Sequence, residues 1–296
     1  MIQEPRPVST DAAPAAPGGK RIALVLGSGG ARGIAHIGVI AHLEALGHRI
    51  VYISGCSMGA LVGGIYAAGK LHVYESWLRA LERRAVIGLL DLTFGRSGLF
   101  KGERLIGVLR ELIGDHEIQD LPIGYTAVAT DLVEQREIWL NRGPLFDAIR
   151  ASIAIPTIFT PYELHGRLLV DGGLLNPVPI APALNQQADL IVAVNLNANL
   201  RSQPESPEQV EAGGSPATVA VPGLLDVMSM TMETMQNAIA RLKLAAYSPD
   251  VVVEVPRDAC SFYEFYRAAE LIELGRVRAE AALGAVPAQC KPLDGD

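Results

Sequence analysis

Twice between Arg21 and Ala68 a short apolar run meets a cluster of glycines and passes directly into a helical pattern. Residues 21–26, Arg-Ile-Ala-Leu-Val-Leu, form the continuous apolar run needed by a strand covered on both faces. They lead into Gly27-Ser28-Gly29-Gly30-Ala31-Arg32-Gly33, after which Ile34, Ile37, Gly38, Ile40, Ala41 and Leu43 through Leu46 recur at helical spacing until Gly47. The second occurrence predicts a strand over Ile50–Ser54, a sharp turn at Gly55-Cys56-Ser57-Met58-Gly59 and a helix over Met58–Ala68. Strand, turn and helix, repeated, imply an α/β fold with a mainly parallel sheet covered by helices.

Further along, helical periodicity predicts helices over His72–Arg84, Glu103–Ile113, Leu224–Ala246 and Tyr263–Leu283. Strands are expected at Tyr125–Thr130, Glu137–Leu140, Arg167–Val170, Leu190–Asn195 and Val251–Val255. With 49% hydrophobic residues in 296, the chain can bury a large core, and one globular domain over residues 21–290 is expected. Residues 1–20, with Pro5, Pro7, Pro14 and Pro17 and no long apolar stretch, read as a disordered tail. Residues 199–222 turn rich in Pro, Ser, Glu and Gly and read as a flexible insertion. The uncharged stretch Ile50–Gly69 is long enough to suggest a membrane span, but five glycines and a β-rich start favour a buried strand, turn and helix.

Charge excludes one class of partner. The net charge of −7, from 25 basic and 32 acidic residues in no long runs, offers no footprint for a phosphate backbone, so nucleic acid is not expected. Cys56, Cys260 and Cys290 are too scattered for a disulfide framework or a tetrahedral metal site, so neither metal nor cofactor is expected, and a reducing, cytoplasmic setting fits.

The two glycine turns carry the chemistry. Gly55-Cys56-Ser57-Met58-Gly59 matches G-x-S-x-G where a strand ends and a helix begins, the setting in which a serine hydroxyl projects from the sheet as a nucleophile. Gly55 and Gly59 answer the steric demand of such a turn, and the helix from Met58 aims its N-terminal N–H groups at a developing oxyanion. The plainer alternative is a close-packed turn in which Ser57 only caps the helix.

Gly27–Gly33 admits two readings. A dinucleotide cradle needs G-x-G-x-x-G and an acidic residue at the end of the next strand, but the register ending at Gly33 starts on Ser28 and the second strand ends in Ser54-Gly55-Cys56. An oxyanion hole needs only backbone N–H groups that approach a carbonyl oxygen without a Cβ, and Gly29 and Gly30 suit that better. Arg32 reads as a brace at the exit of the loop.

Asp171-Gly172-Gly173 follows a predicted strand, so its carboxylate emerges at a strand end, positioned to act as a base or merely to cap its own turn. An α/β-hydrolase triad runs serine, acid, histidine, yet His165 is the last histidine in the chain. Nothing after Asp171 can fill the third role. His36 and His165 are the histidines closest to candidate segments.

These residues resemble the patatin-like phospholipases, which carry a G-G-x-R/K-G loop, a G-x-S-x-G turn and an Asp-Gly-Gly/Ala motif. Here they are Gly29–Gly33, Gly55–Gly59 and Asp171–Gly173, in the same order, and Ala151–Pro156 and Asn176–Pro179 match other recurrent segments. The resemblance spans about Arg21 to Asn195, with one departure at Ser28, where many members have glycine. It implies a three-layer α/β/α sandwich and a Ser57–Asp171 dyad that hydrolyses phospholipid, lysophospholipid or other acyl esters without metal. Gly29, Gly30 and Met58 would supply the oxyanion donors, with Arg32, Gly33, Gly55, Gly59, Gly172 and Gly173 shaping the turns. Acyl transfer by the same serine is the nearest alternative, and a nucleotide-binding regulatory module a more distant one.

Two helices bear on lipid access. Leu99, Phe100, Leu105, Ile106, Leu109 and Leu112 form a stripe that reads by default as core-facing and alternatively as a lipid-facing surface. Met228, Met230, Met232 and Met235 crowd one later helix, with core packing the default and an acyl groove or dimer contact the alternative. Peripheral contact with the inner face of a membrane and self-association are the corresponding expectations.

Overall fold

The computed structural model describes residues 18–88, 98–199 and 223–284. Residues 1–17 of the expected tail, residues 200–222 of the expected insertion and residues 285–290 of the expected domain lie outside the described residues.

The sheet is ordered β10-β9-β1-β2-β4-β8-β7, with β5 paired to β4. Its strands are β1 (Arg21–Leu26), β2 (Arg49–Cys56), β4 (Gly124–Asp131), β5 (Arg136–Leu140), β7 (Tyr162–Leu164), β8 (Arg167–Asp171), β9 (Leu190–Ala198) and β10 (Val251–Pro256). β3 (Gly98–Phe100) and β6 (Thr157–Phe159) form a separate parallel pair. The five central strands β10, β9, β1, β2 and β4 are mutually parallel, while β5, β7 and β8 add antiparallel pairs at one side. The α/β class with a mainly parallel sheet is therefore as expected.

Alternation within β1 separates the layers. Ile22, Leu24 and Leu26 join the main core with α1 (Ala35–Ala45), α2 (Met58–Ala67), α3 (Leu71–Arg79), α5 (Glu103–Ile113), α6 (Leu145–Ser152) and α8 (Ala268–Leu283). Ala23 and Val25 face the other way, onto Val178, Ile180, Ala183 and Ala240 of α7 (Leu224–Tyr247). Each such fully buried aliphatic side chain contributes about 1.5–3 kcal/mol relative to exposure.

Several boundaries depart from the sequence pattern. The single helix expected over His72–Arg84 is two, α3 and α4 (Arg83–Gly88), and the last helix begins at Ala268 after a 3-10 turn at Phe265–Arg267. The short strands β3, β6 and β7 and helix α6 had no distinct periodic signal. Ile50–Gly69 forms β2 and α2, and among the described residues no helix is long and apolar enough to cross a membrane. In α5, Ile106 and Leu109 are buried and Leu105 and Leu112 pack on the core, so that stripe faces inward; the Leu99 side chain lies outside the described residues. Three methionines of α7 overturn the core-packing expectation, Met228, Met230 and Met235 being 45%, 58% and 53% exposed, while Met232 is half-buried and lines a chamber beside Ser57.

One feature of the sheet positions the site. β2 pairs with β4 up to Cys56↔Val128, and β8 pairs with it from Ala129↔Asp171 onward. β5 already holds Ala127–Asp131 of the opposite edge, so β2 and β8 share one edge of β4, meeting end to end. The chain leaves β2 at Cys56 for α2 and arrives on β8 at Asp171, which brings the two segments together at neighbouring register positions.

Candidate active site

Ser57 sits between the end of β2 and the start of α2 with φ 56° and ψ −121°, a backbone conformation that costs a non-glycine residue about 1–3 kcal/mol. Its neighbours allow the turn to close. A Cβ on Gly55 would lie 2.4 Å from the Gly59 carbonyl oxygen, and one on Gly59 would lie 2.0 Å from that of Leu26. No side-chain hydrogen bond caps α2, so Ser57 does not serve as a helix cap. Its backbone N–H instead donates to Ser152 Oγ on α6 at 3.0 Å, and Ser152 donates to the Val128 carbonyl at 2.6 Å.

Asp171 ends β8 and is buried. Its Oδ1 accepts from the Gly173 N–H at 2.7 Å and from the Cys56 thiol at 3.8 Å. Burial pushes its pKa up to about 6, opposed by hydrogen bonds from the Ser57 side chain, Gly173 and Cys56. The Cys56 thiol is driven well above its ordinary range, mainly by burial and then by the Asp171 charge, and so stays protonated as a donor. Gly172 packs on the β4 backbone, where a Cβ would meet the Val128 carbonyl at 2.1 Å.

The Gly27–Gly33 loop lies beside this pair. Ser28 N–H donates to Pro177 O at 2.9 Å and Ala31 N–H to Phe262 O at 3.0 Å. Between them, the N–H groups of Gly29 and Gly30 meet no acceptor among the described residues. The Met58 N–H, first in α2, likewise has no helical partner. Gly30 combines φ +55° with a Phe262 ring that a Cβ would approach to 2.4 Å, and Gly33 packs directly on Met58.

Arg32 is 5% exposed and donates to Arg257 O at 2.5 Å and Asn197 Oδ1 at 3.1 Å, and Asn197 holds Ser28 O at 3.2 Å. His36 is buried under the same loop, its Nε2 2.9 Å from Gly27 O, and burial lowers its pKa to about 4, so it is a neutral donor to the loop backbone. His165 lies in the β7–β8 turn at φ 51°. Neither histidine joins Ser57.

Two chambers meet at Ser57. One is lined by aliphatic and aromatic side chains, among them Leu61, Trp77, Leu81, Leu105, Ile153 and Phe159. The other is polar and holds Asp171, Arg32, Glu233 and Gln236 beside Gly29 and Gly30. Gly30, Ser57, Ile155, Ile158 and Phe262 border both. Glu233, Gln236 and Phe262 escaped the sequence reading because α7 and the segment after β10 carry no distinctive pattern there. Ser152 falls in a segment already singled out, but its role emerges only from the packing of α6 against β4.

A family model described as patatin-like phospholipase matches residues 24–184. An uncharacterized NTE family protein of Mycobacterium tuberculosis is 39% identical, the alignment covering 90% of this chain and 92% of the relative. A patatin-like phospholipase domain-containing protein of Caenorhabditis elegans is 35% identical over 61% of this chain and 14% of its own length. Lysophospholipase NTE1 of Yarrowia lipolytica is 31% identical over 61% of this chain and 13% of its own.

Proposed function

The chain belongs to the patatin-like phospholipase family, and from that premise we propose that it is a serine acyl hydrolase acting on lipid esters through Ser57 and Asp171. The observation that carries this reading is the position of Ser57 at the junction of a hydrocarbon chamber and a polar one, with a buried carboxylate at its side. An acyl chain occupies the first chamber and the alcohol portion the second, so the ester bond between them falls at the hydroxyl.

In the first half-reaction Asp171 takes the Ser57 proton as Oγ bonds to the acyl carbon. The N–H groups of Gly29, Gly30 and Met58 hold the oxyanion, the ester C–O bond breaks, and Asp171 returns the proton to the departing alcohol. Water then attacks the acyl-serine, giving its proton to Asp171, and the fatty acid leaves as Ser57 recovers a proton. A carboxylate with a pKa near 6 is mostly ionised at neutral pH yet more basic than an ordinary aspartate, which suits it to this task.

A fluorophosphonate probe should label Ser57, and Ser57→Ala or Asp171→Asn should abolish hydrolysis of an acyl ester while the fold persists. Labelling elsewhere, or turnover retained by either variant, would overturn the dyad. The exposed Val227, Met228, Met230 and Met235 of α7 support peripheral contact with a lipid surface, which flotation with liposomes tests directly.

A further inference from the structure

We infer that Glu233, supported by Gln236, selects the alcohol portion of the substrate, favouring an uncharged, hydroxyl-bearing alcohol over one that carries an anionic phosphate close to the ester. This inference rests on the hydrolase reading above and assigns specificity within that site.

Among the described residues the charged groups lining the polar chamber are Arg32, Asp171 and Glu233, one cation against two carboxylates. The cation is largely committed to the protein: Arg32 is 5% exposed, and its two terminal nitrogens donate to Arg257 O, Asn197 Oδ1 and Glu233 Oε1, the last at 3.4 Å. Glu233 is different. Its side chain is 40% exposed, and it touches Arg32 through Oε1 alone among the described residues, which leaves Oε2 to accept from a ligand. Gln236 stands one helical turn further along α7, its amide close to Gly173 and with no hydrogen-bond partner among the described residues.

A glycerol-like hydroxyl beside the ester would donate to Glu233 and exchange hydrogen bonds with Gln236. A phosphate in the same place would meet two carboxylates and an arginine whose terminal nitrogens already bond protein oxygens and whose unpaired Nε is buried, an arrangement that disfavours it by like-charge repulsion and unmatched desolvation. Among the described residues no lysine lines the chamber to reverse this balance.

The test compares kcat/KM for 1-oleoylglycerol and 1-oleoyl-lysophosphatidic acid, both at equal mole fraction in the same neutral detergent micelles, in the wild type and in Glu233→Gln and Glu233→Asp. The wild type should prefer the uncharged ester. Glu233→Gln should shrink that preference by about tenfold, the scale of one desolvated like-charge contact removed. Glu233→Asp, which keeps the charge, should retain most of the preference, an outcome that a purely structural role for residue 233 would not produce. A preference unchanged in Glu233→Gln, or a wild type that favours the phosphate ester, overturns the inference. Turnover of p-nitrophenyl butyrate, lost in Ser57→Ala, runs alongside. If that ester is cleaved through Ser57 while the preference ignores residue 233, only the specificity assignment fails; if no ester is cleaved, the hydrolase reading falls and this inference with it.

Discussion

The backbone N–H of Ser57 is held by the Ser152 hydroxyl at 3.0 Å. Because the Ser152 hydroxyl in turn donates a hydrogen bond to the Val128 carbonyl, the turn that presents the proposed nucleophile is tied to the central strand on which Asp171 also registers. The same bond removes the Ser57 N–H from the donors facing the chambers and leaves that task to the glycine loop and to Met58. Ser152→Ala would strand a buried N–H and a buried carbonyl, costing about 1–3 kcal/mol. It should lower kcat more than it raises KM, since the positive φ at Ser57 depends on its surroundings. Thermal unfolding and steady-state kinetics check both, and a variant with unchanged Tm and kcat would dismiss Ser152 as a support.

Cys56 should set the pH at which the enzyme switches on. Asp171 can serve as the proposed base only when ionised, so kcat/KM should rise with pH along a limb centred near its pKa of about 6. The protonated thiol of Cys56 donates to Oδ1 and favours the ionised form. Cys56→Ala removes that donor and should move the limb to higher pH, whereas Cys56→Ser substitutes a stronger donor and should move it lower. Profiles that coincide for all three proteins would show that the thiol does not act on the carboxylate.

Much of this arrangement was legible in the order of residues, for a physical reason. Both loops that flank the proposed reaction centre require glycine within contact distance of backbone, as at Gly27 in one and Gly55 and Gly59 in the other, so the demand is written into the sequence itself. Residues 22–26 are buried on both faces, and their unbroken apolar run says so directly. What was not legible depends on pairing between distant segments. Nothing in Arg167–Asp171 reveals that β8 runs antiparallel and continues the β4 edge where β2 departs, yet that register brings residue 171 to residue 57. Likewise α7 reads as an ordinary amphipathic helix, and only its place over the glycine loop turns Glu233 and Gln236 into chamber walls. Met228, Met230 and Met235, expected to be core by residue type, stay exposed because α7 buries another face, that of Ala240, against the sheet.

The hydrocarbon chamber should measure acyl chains. Leu81 is half-buried on its wall, and Leu81→Trp would fill space there without touching Ser57 or Asp171. Hydrolysis of long-chain esters should then fall steeply while that of four- to six-carbon esters, at about 0.8 kcal/mol of burial per methylene lost, falls little. A series of p-nitrophenyl esters of increasing chain length provides the measurement. Equal loss across the series would mean that the chain lies elsewhere.

Asp171 and His36 load the fold with opposite responses to pH. The Asp171 pKa is raised to about 6, so its contribution to stability is full below about pH 4 and is lost as pH rises through 6. The His36 pKa is lowered to about 4, so its contribution is full above about pH 6.5 and is lost as pH falls through 4. Each amounts to at most about 3 kcal/mol, and across pH 4 to 6 they largely offset each other. Asp171→Asn removes only the first. The variant should therefore be more stable than the wild type at pH 7.5, match it near pH 4, and lose stability more steeply on acidification between those limits. Urea denaturation at a series of pH values measures this, and parallel curves for the two proteins would show that the buried carboxylate costs the fold nothing when it ionises.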